Sequence, residues 1–182
     1  MKKLAFTQRL MHALAFGFLI PIQAYAHVTL ETKQAYPNTS HKAVLRVNHG
    51  CGTSPTLKLR VQIPDGFINV KPMPKAGWGL ETIKSTPSNS HDHSHVHDHA
   101  AGSNERVTDV IWSGHLLDEH YDEFVLTGTI GADVKPGTTL WFPTIQECES
   151  SANRWIEIPA QDKNASDYKE PAPGLKILAP NR

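Results

Sequence analysis

His27 follows the triplet Ala24-Tyr25-Ala26, and this position gives it a chemistry that an internal histidine lacks. Small residues at the first and third places of such a triplet are typical of a signal-peptidase cleavage site. Cleavage after Ala26 would leave His27 as the first residue, so that its α-amino group and its ring Nδ1 could close a six-membered chelate ring on one metal ion. Two nitrogen donors favour Cu(II), the strongest binder among the divalent first-row ions.

Residues 1–26 have the features of a secretory signal peptide. Lys2, Lys3 and Arg9 precede an apolar run at 11–22, which is too short for a permanent membrane-spanning helix. We therefore expect an exported, periplasmic chain of residues 27–182. The alternative is that His27 follows the cleavage site by accident, because signal peptidases accept many residues at that position.

The composition of the exported part limits its size class and its partners. It has 156 residues, enough for one domain with a single core. It contains 15 basic and 18 acidic residues, which gives a net charge of −3. The excess of positive charge that is typical of proteins that bind nucleic acid is therefore missing from this sequence. No apolar run after the signal is long enough to cross a membrane.

Cys51 and Cys148 are the two cysteines of the sequence. In an oxidising compartment an isolated pair most simply forms a disulfide. A thiolate metal site is the alternative, because Cys51 follows His49 by two residues.

Two further groups of histidines are candidate metal ligands. His49 lies just after a predicted strand, where a sandwich gathers its loops, and could add a third nitrogen to copper held by His27. The alternative for His49 is a loop histidine bonded to water or backbone. The polar insertion at 84–105 is predicted to be flexible. Its alternating histidines could recruit metal ions with weak selectivity, or they could have no role in the cell. These histidines are His91, His93, His95, His97 and His99.

Alternation of apolar and polar residues predicts an all-β fold. The clearest strand is 56–63, where Leu57, Leu59, Val61 and Ile63 would share one face. Turn signals separate about eight or nine such strands, which predicts an antiparallel β-sandwich of immunoglobulin-like or cupredoxin-like shape. The other segments with strand-like patterning are 28–31, 43–47, 67–70, 78–83, 107–112, 121–130, 140–145, 155–158 and 175–178.

Aromatic and acidic residues complete the set of candidates. Tryptophans of a sandwich usually lie in the core, and we expect this for three of the four, Trp78, Trp112, Trp141 and Trp155. Glu123 is the carboxylate whose strand position best suits a ligand, although a solvated outward residue fits as well. The motifs of common hydrolases and phosphate-binding loops are absent from the sequence.

Eight segments of the exported part are informative when they are taken in order: Ala26-His27-Val28-Thr29-Leu30-Glu31, Arg46-Val47-Asn48-His49-Gly50-Cys51-Gly52-Thr53-Ser54-Pro55-Thr56, Ile63-Pro64-Asp65-Gly66, Pro74-Lys75-Ala76-Gly77-Trp78, Ile111-Trp112-Ser113-Gly114, Tyr121-Asp122-Glu123-Phe124, Phe142-Pro143-Thr144-Ile145-Gln146 and Trp155-Ile156-Glu157-Ile158-Pro159. Together they resemble the YcnI-like family of exported copper-binding domains, over nearly the whole exported part.

The resemblance implies a β-sandwich that binds Cu(II) through a single-histidine brace, the amine and Nδ1 of His27, with Trp155 as the nearby tryptophan. It also implies a carboxylate ligand from the loop after the second strand, but that loop here reads Asn48-His49-Gly50-Cys51 and has no acid. We therefore expect His49 to replace the carboxylate. The histidine-rich insertion inherits no role from the resemblance.

The resulting hypothesis is a periplasmic Cu(II)-binding protein that acts in copper capture, trafficking or homeostasis, without turnover, with other copper-handling proteins as candidate partners. One alternative is a copper-dependent oxidative enzyme of the monooxygenase type, which would oxidise polysaccharide in a peroxide-dependent reaction that requires His27. Another is a protein-interaction module whose metal binding is incidental. That alternative predicts unchanged copper tolerance after loss of both His27 and residues 91–99.

Overall fold

The structure, a computed structural model, describes residues 27–85 and 105–180. The predicted signal peptide at 1–26 and the five alternating histidines lie outside these residues. Within the described part, the only helix is a three-residue 3-10 turn, Ala165–Asp167, so nothing helical there could span a bilayer. Lys84 and Ser85, which we expected in the flexible insertion or at its border, are the last two residues of a strand.

Within residues 27–85 and 105–180, twelve strands form three sheets, which confirms the predicted β-sandwich class. The first sheet has the order β1-β3-β8-β5, the second β11-β10-β4-β7-β6 and the third β2-β12-β9. All pairs are antiparallel except β2 with β12. The strands are β1 (Thr29–Leu30), β2 (Gln34–Ala35), β3 (Ser40–Val47), β4 (Thr56–Gln62), β5 (Phe67–Pro72), β6 (Gly79–Ser85), β7 (Arg106–Leu116), β8 (Asp122–Ile130), β9 (Thr139–Trp141), β10 (Thr144–Cys148), β11 (Ala152–Trp155) and β12 (Gly174–Ile177).

The buried core cluster contains residues of all three sheets, including Leu140 of β9 and Leu175 of β12. Leu45 of β3 and Phe124 of β8 belong to the same buried cluster as Leu59 of β4 and Trp112 of β7. Phe124, Leu126, Gly128 and Ile130 are all buried, which confirms the shared face predicted for β8. Alternation of side chains along each strand is what lets two sheets bury one face each.

The face predicted for the strand 56–63 is wrong at its first residues. Thr56 is fully buried and Leu57 is exposed, whereas Leu59 and Val61 point into the core as expected. In the pairing of β4 with β10, Lys58 lies opposite Glu147 but Thr56 lies opposite the next residue, Cys148, so Leu57 is an extra residue of β4. Such a bulge adds one residue to a strand, so the side chains on its two sides exchange faces.

The strands near the end of the chain also differ from prediction. The expected strand 140–145 is two strands, β9 and β10, which belong to different sheets. Pro143 lies at the break, where its missing amide hydrogen and fixed φ interrupt a ladder. The expected strand 155–158 ends at Trp155 instead of beginning there, because 152–155 pairs with β10.

Candidate functional site

His27 and Trp155 meet where the edges of the two main sheets come together. His27 lies just before β1, the edge strand of the first sheet, and Trp155 ends β11, the edge strand of the second. Their ring centroids are 5.2 Å apart and the ring planes are inclined by 71°. The edge of one aromatic ring thus faces the other, a favourable arrangement for two π systems.

The pairing of β1 with β3 also brings the loop that carries His49 close in register. Thr29 lies opposite Arg46 and Leu30 opposite Leu45. The same register carried two residues back sets His27 opposite Asn48, next to His49. Both histidines therefore belong to one end of the sandwich, as the sequence predicts for residues at the ends of neighbouring strands.

The His49 ring is held by its own loop. His49 Nδ1 lies 2.5 Å from the carbonyl oxygen of Gly50 and 3.9 Å from Oδ1 of Asp118. The same Asp118 oxygen accepts a 2.9 Å hydrogen bond from the Gly50 amide. A side chain at Gly50 would collide with the carbonyl of Ser54, so this turn requires glycine. The role of His49 as a copper ligand stays a prediction.

Gln146 connects the two halves of the site, and sequence reasoning did not identify it. Its amide nitrogen donates to the carbonyl oxygen of His49 at 2.7 Å and to the Thr56 hydroxyl at 2.7 Å. Its amide oxygen accepts from the indole Nε1 of Trp155 at 3.2 Å and from the Asn153 amide at 3.4 Å. Gln146 is 1% exposed, so these partners replace water almost completely.

Replacing Gln146 by leucine should destabilise the fold and loosen Trp155. The substitution leaves buried partners without their hydrogen bonds, each of which costs about 1–3 kcal/mol, so we expect a loss of roughly 3 kcal/mol. Urea unfolding followed by tryptophan fluorescence measures the change. Gln62→Leu on the exposed face of β4 is the matched control, and surface changes of this kind stay within about 0.5 kcal/mol. Equal effects of the two substitutions would contradict the role of Gln146.

The disulfide fastens the same loop to the second sheet. Cys51 and Cys148 are bonded, with their Cα atoms 6.0 Å apart, which confirms the predicted pair. The described chain has no free cysteine, so the alternative thiolate metal site has no thiolate in this structure. The bond ties the end of β10, two residues beyond Gln146, to the loop that carries His49.

Glu123 and the tryptophans are the remaining candidates named from the sequence. Glu123 forms an ion pair with Arg46, with 3.1 Å between Oε1 and Nε, on the strand that flanks β3 on the side away from β1. Trp112 and Trp155 are core residues and Trp78 packs against the core, as expected for three tryptophans. Trp141 is only partly buried and lines a surface groove.

Across residues 27–85 and 105–180, no three side chains of histidine, cysteine, aspartate or glutamate come together as a metal cluster. The brace expected on His27 would supply two donor nitrogens from one residue.

A comparison with solved structures agrees with this architecture, whereas a comparison with curated proteins gave no match. A crystal structure of an uncharacterized protein from Nocardia farcinica, described as an immunoglobulin-like fold, superposes with a TM-score of 0.64. The two sequences are 19% identical, and the alignment covers 85% of this chain and 99% of that one. This likeness confirms the immunoglobulin-like fold.

The family match covers the part of the chain in which the quoted sequence segments lie. Residues 27–177 match the family described as a domain of unknown function, DUF1775, and the matched region begins at His27. This is the domain of the YcnI-like proteins that the sequence resembles. The chain therefore belongs to the DUF1775 family.

Proposed function

We propose that the protein is an exported Cu(II)-binding protein that captures copper or passes it on. Its copper site would form when residues 1–26 are removed and His27 becomes the first residue. The observation that carries the proposal is the position of His27, which begins the family's matched region and lies against Trp155 at 5.2 Å. The DUF1775 domain and the immunoglobulin-like fold are compatible with a copper-handling role.

The proposed binding follows from the acid-base chemistry of the first residue. An α-amino group ordinarily loses its proton with a pKa of roughly 7.7–8.0, well below the value of about 10.4 for lysine, so its lone pair is accessible near neutral pH. The amine and Nδ1 of His27 would hold Cu(II), and the sheet edge would keep the residue in place. Nδ1 of His49 lies against the Gly50 carbonyl, so Nε2 is the atom through which His49 would bind as a third nitrogen ligand.

We further propose that the protein binds copper without turning over a substrate, in the periplasm, and that it exchanges the metal with other copper-handling proteins. The ring in contact with His27 is the indole of Trp155, whose Nε1 donates to the buried amide of Gln146. Neither side chain is a general acid or base, which supports a role in holding a metal ion.

The test uses the chain purified from the compartment to which it is exported. Mass analysis should give His27 as the first residue, and one equivalent of Cu(II) should give an electron paramagnetic resonance spectrum with nitrogen couplings. His27→Ala should abolish that spectrum, and His49→Ala should reduce the number of coupled nitrogens. A different first residue, or an unchanged spectrum in His27→Ala, would refute the proposal.

A further inference from the structure

A groove of about 640 Å³ runs along the protein surface beside His27. Its lining includes His27, Thr29 of β1, Trp141 of β9, Pro173, and Lys176 of β12. The proposed copper ligand therefore shares the groove with apolar residues, and the function proposed above does not use that part of the surface.

The charge of the groove is opposite to that of the chain. Among the described residues, Lys33 and Lys176 line it and no aspartate or glutamate does, although the exported part of the sequence has a net charge of −3. Both lysines are exposed, and neither forms an ion pair within residues 27–85 and 105–180. They lie together, because the Lys176 amide donates to the Lys33 carbonyl at 2.9 Å.

Among the described residues, no carboxylate lines the groove, although Glu31, Asp167 and Glu170 each lie next to a lining residue in the sequence. Asp167 accepts a 2.9 Å hydrogen bond from the Asn164 amide. Apart from the proposed ligand His27, the charged side chains that line the groove are therefore those of two lysines.

The backbone of β1 offers an open edge on the same side. The Glu31 amide donates to Val44 of β3, so residues 29 and 31 direct their amides toward β3. Amides alternate in direction along an antiparallel strand, and those of Val28 and Leu30 therefore point away from β3. Because β1 is an edge strand, these groups can pair with an added extended chain.

We propose that this groove binds an extended acidic segment of the protein that exchanges copper with His27, an inference that rests on the proposed function. The segment pairs with the edge of β1 at Val28 and Leu30. Its carboxylates face Lys33 and Lys176, and its apolar side chains contact Trp141. Carboxylate groups of the bound segment would then lie next to the metal, where they can take part in its transfer.

The probe is an octapeptide of alternating valine and glutamate with both ends blocked, added to the metal-free chain that begins at His27. Lys33→Glu with Lys176→Glu should lower its affinity about tenfold or more, and added salt should weaken binding to the unsubstituted chain. The matched control is Lys42→Glu with Lys71→Glu, two exposed lysines outside the groove that should leave the affinity unchanged. Hydrogen exchange should slow at the amides of Val28 and Leu30.

Several outcomes would overturn the inference. Equal binding of a valine and lysine octapeptide would exclude recognition by charge, and equal binding of free glutamate would indicate an anion pocket instead of a peptide groove. An equal loss in the control pair would place the peptide elsewhere. Copper is measured separately, without peptide, by paramagnetic resonance. Loss of copper binding with intact peptide binding would refute the proposed function alone, whereas the reverse result would refute the groove alone.

Discussion

A fusion in which another folded domain precedes His27 is expected to bind Cu(II) at least about 100-fold more weakly than the same chain after the domain is removed. Loss of a group that merely orients a metal ligand already costs about 10–100-fold in affinity, and here a donor nitrogen itself is blocked. The protease must leave His27 as the first residue. Competition with a chelator of known affinity, before and after cleavage, measures the change.

Two control variants distinguish Cu(II) binding by the proposed brace on His27 from Cu(II) binding by the other histidines. In a His27→Ala chain, cleavage should leave the Cu(II) affinity nearly unchanged, because the freed amine no longer has an imidazole on the same residue. His120→Ala, which removes an exposed histidine of the loop between β7 and β8, should behave like the unsubstituted chain. Tight binding by the uncleaved fusion would place the strongest site elsewhere.

Replacing both Cys51 and Cys148 by serine should lower the free energy of unfolding by about 4–5 kcal/mol. The disulfide closes a loop with a sequence separation of 97, and the chain-entropy relation gives this magnitude for such a loop. For a domain of this size the melting temperature should fall by roughly 10–15 °C. Calorimetry of the two proteins measures the difference.

A reducing agent provides the internal control for this prediction. It should lower the melting temperature of the unsubstituted protein toward that of the serine variant and leave the variant unchanged. A loss of stability below about 1 kcal/mol would mean that other contacts already constrain the same loop in the unfolded chain.

The sequence predicts the features that depend on local periodicity and residue type. Alternation along β8 predicts its buried face through Phe124 and Ile130 because that strand pairs with β3 without a bulge. The pair Cys51 and Cys148 follows from the number of cysteines. The nearness of Trp155 to His27 follows from the family resemblance, and the 5.2 Å contact agrees with it.

The remaining features depend on how distant segments meet. The bulge that exposes Leu57 arises from pairing with β10, which the alternation of 56–63 does not reveal. Gln146 resembles any polar strand residue until partners from β4, β11 and the loop of His49 surround its amide. A proline within an apolar segment, such as Pro143, was the available signal that one predicted strand is divided between two sheets.

The parallel pairing of β2 with β12 determines when the groove beside His27 can be completed. Gln34 and Lys176 lie opposite each other, although almost the whole domain separates them in sequence. A chain that ends before Gly174 contains His27 but lacks the residues of β12 that line the groove. Contacts over such distances form late in folding, because a long loop must close first. A growing chain would therefore contain His27 early and could form the complete groove only after its last strand had been added.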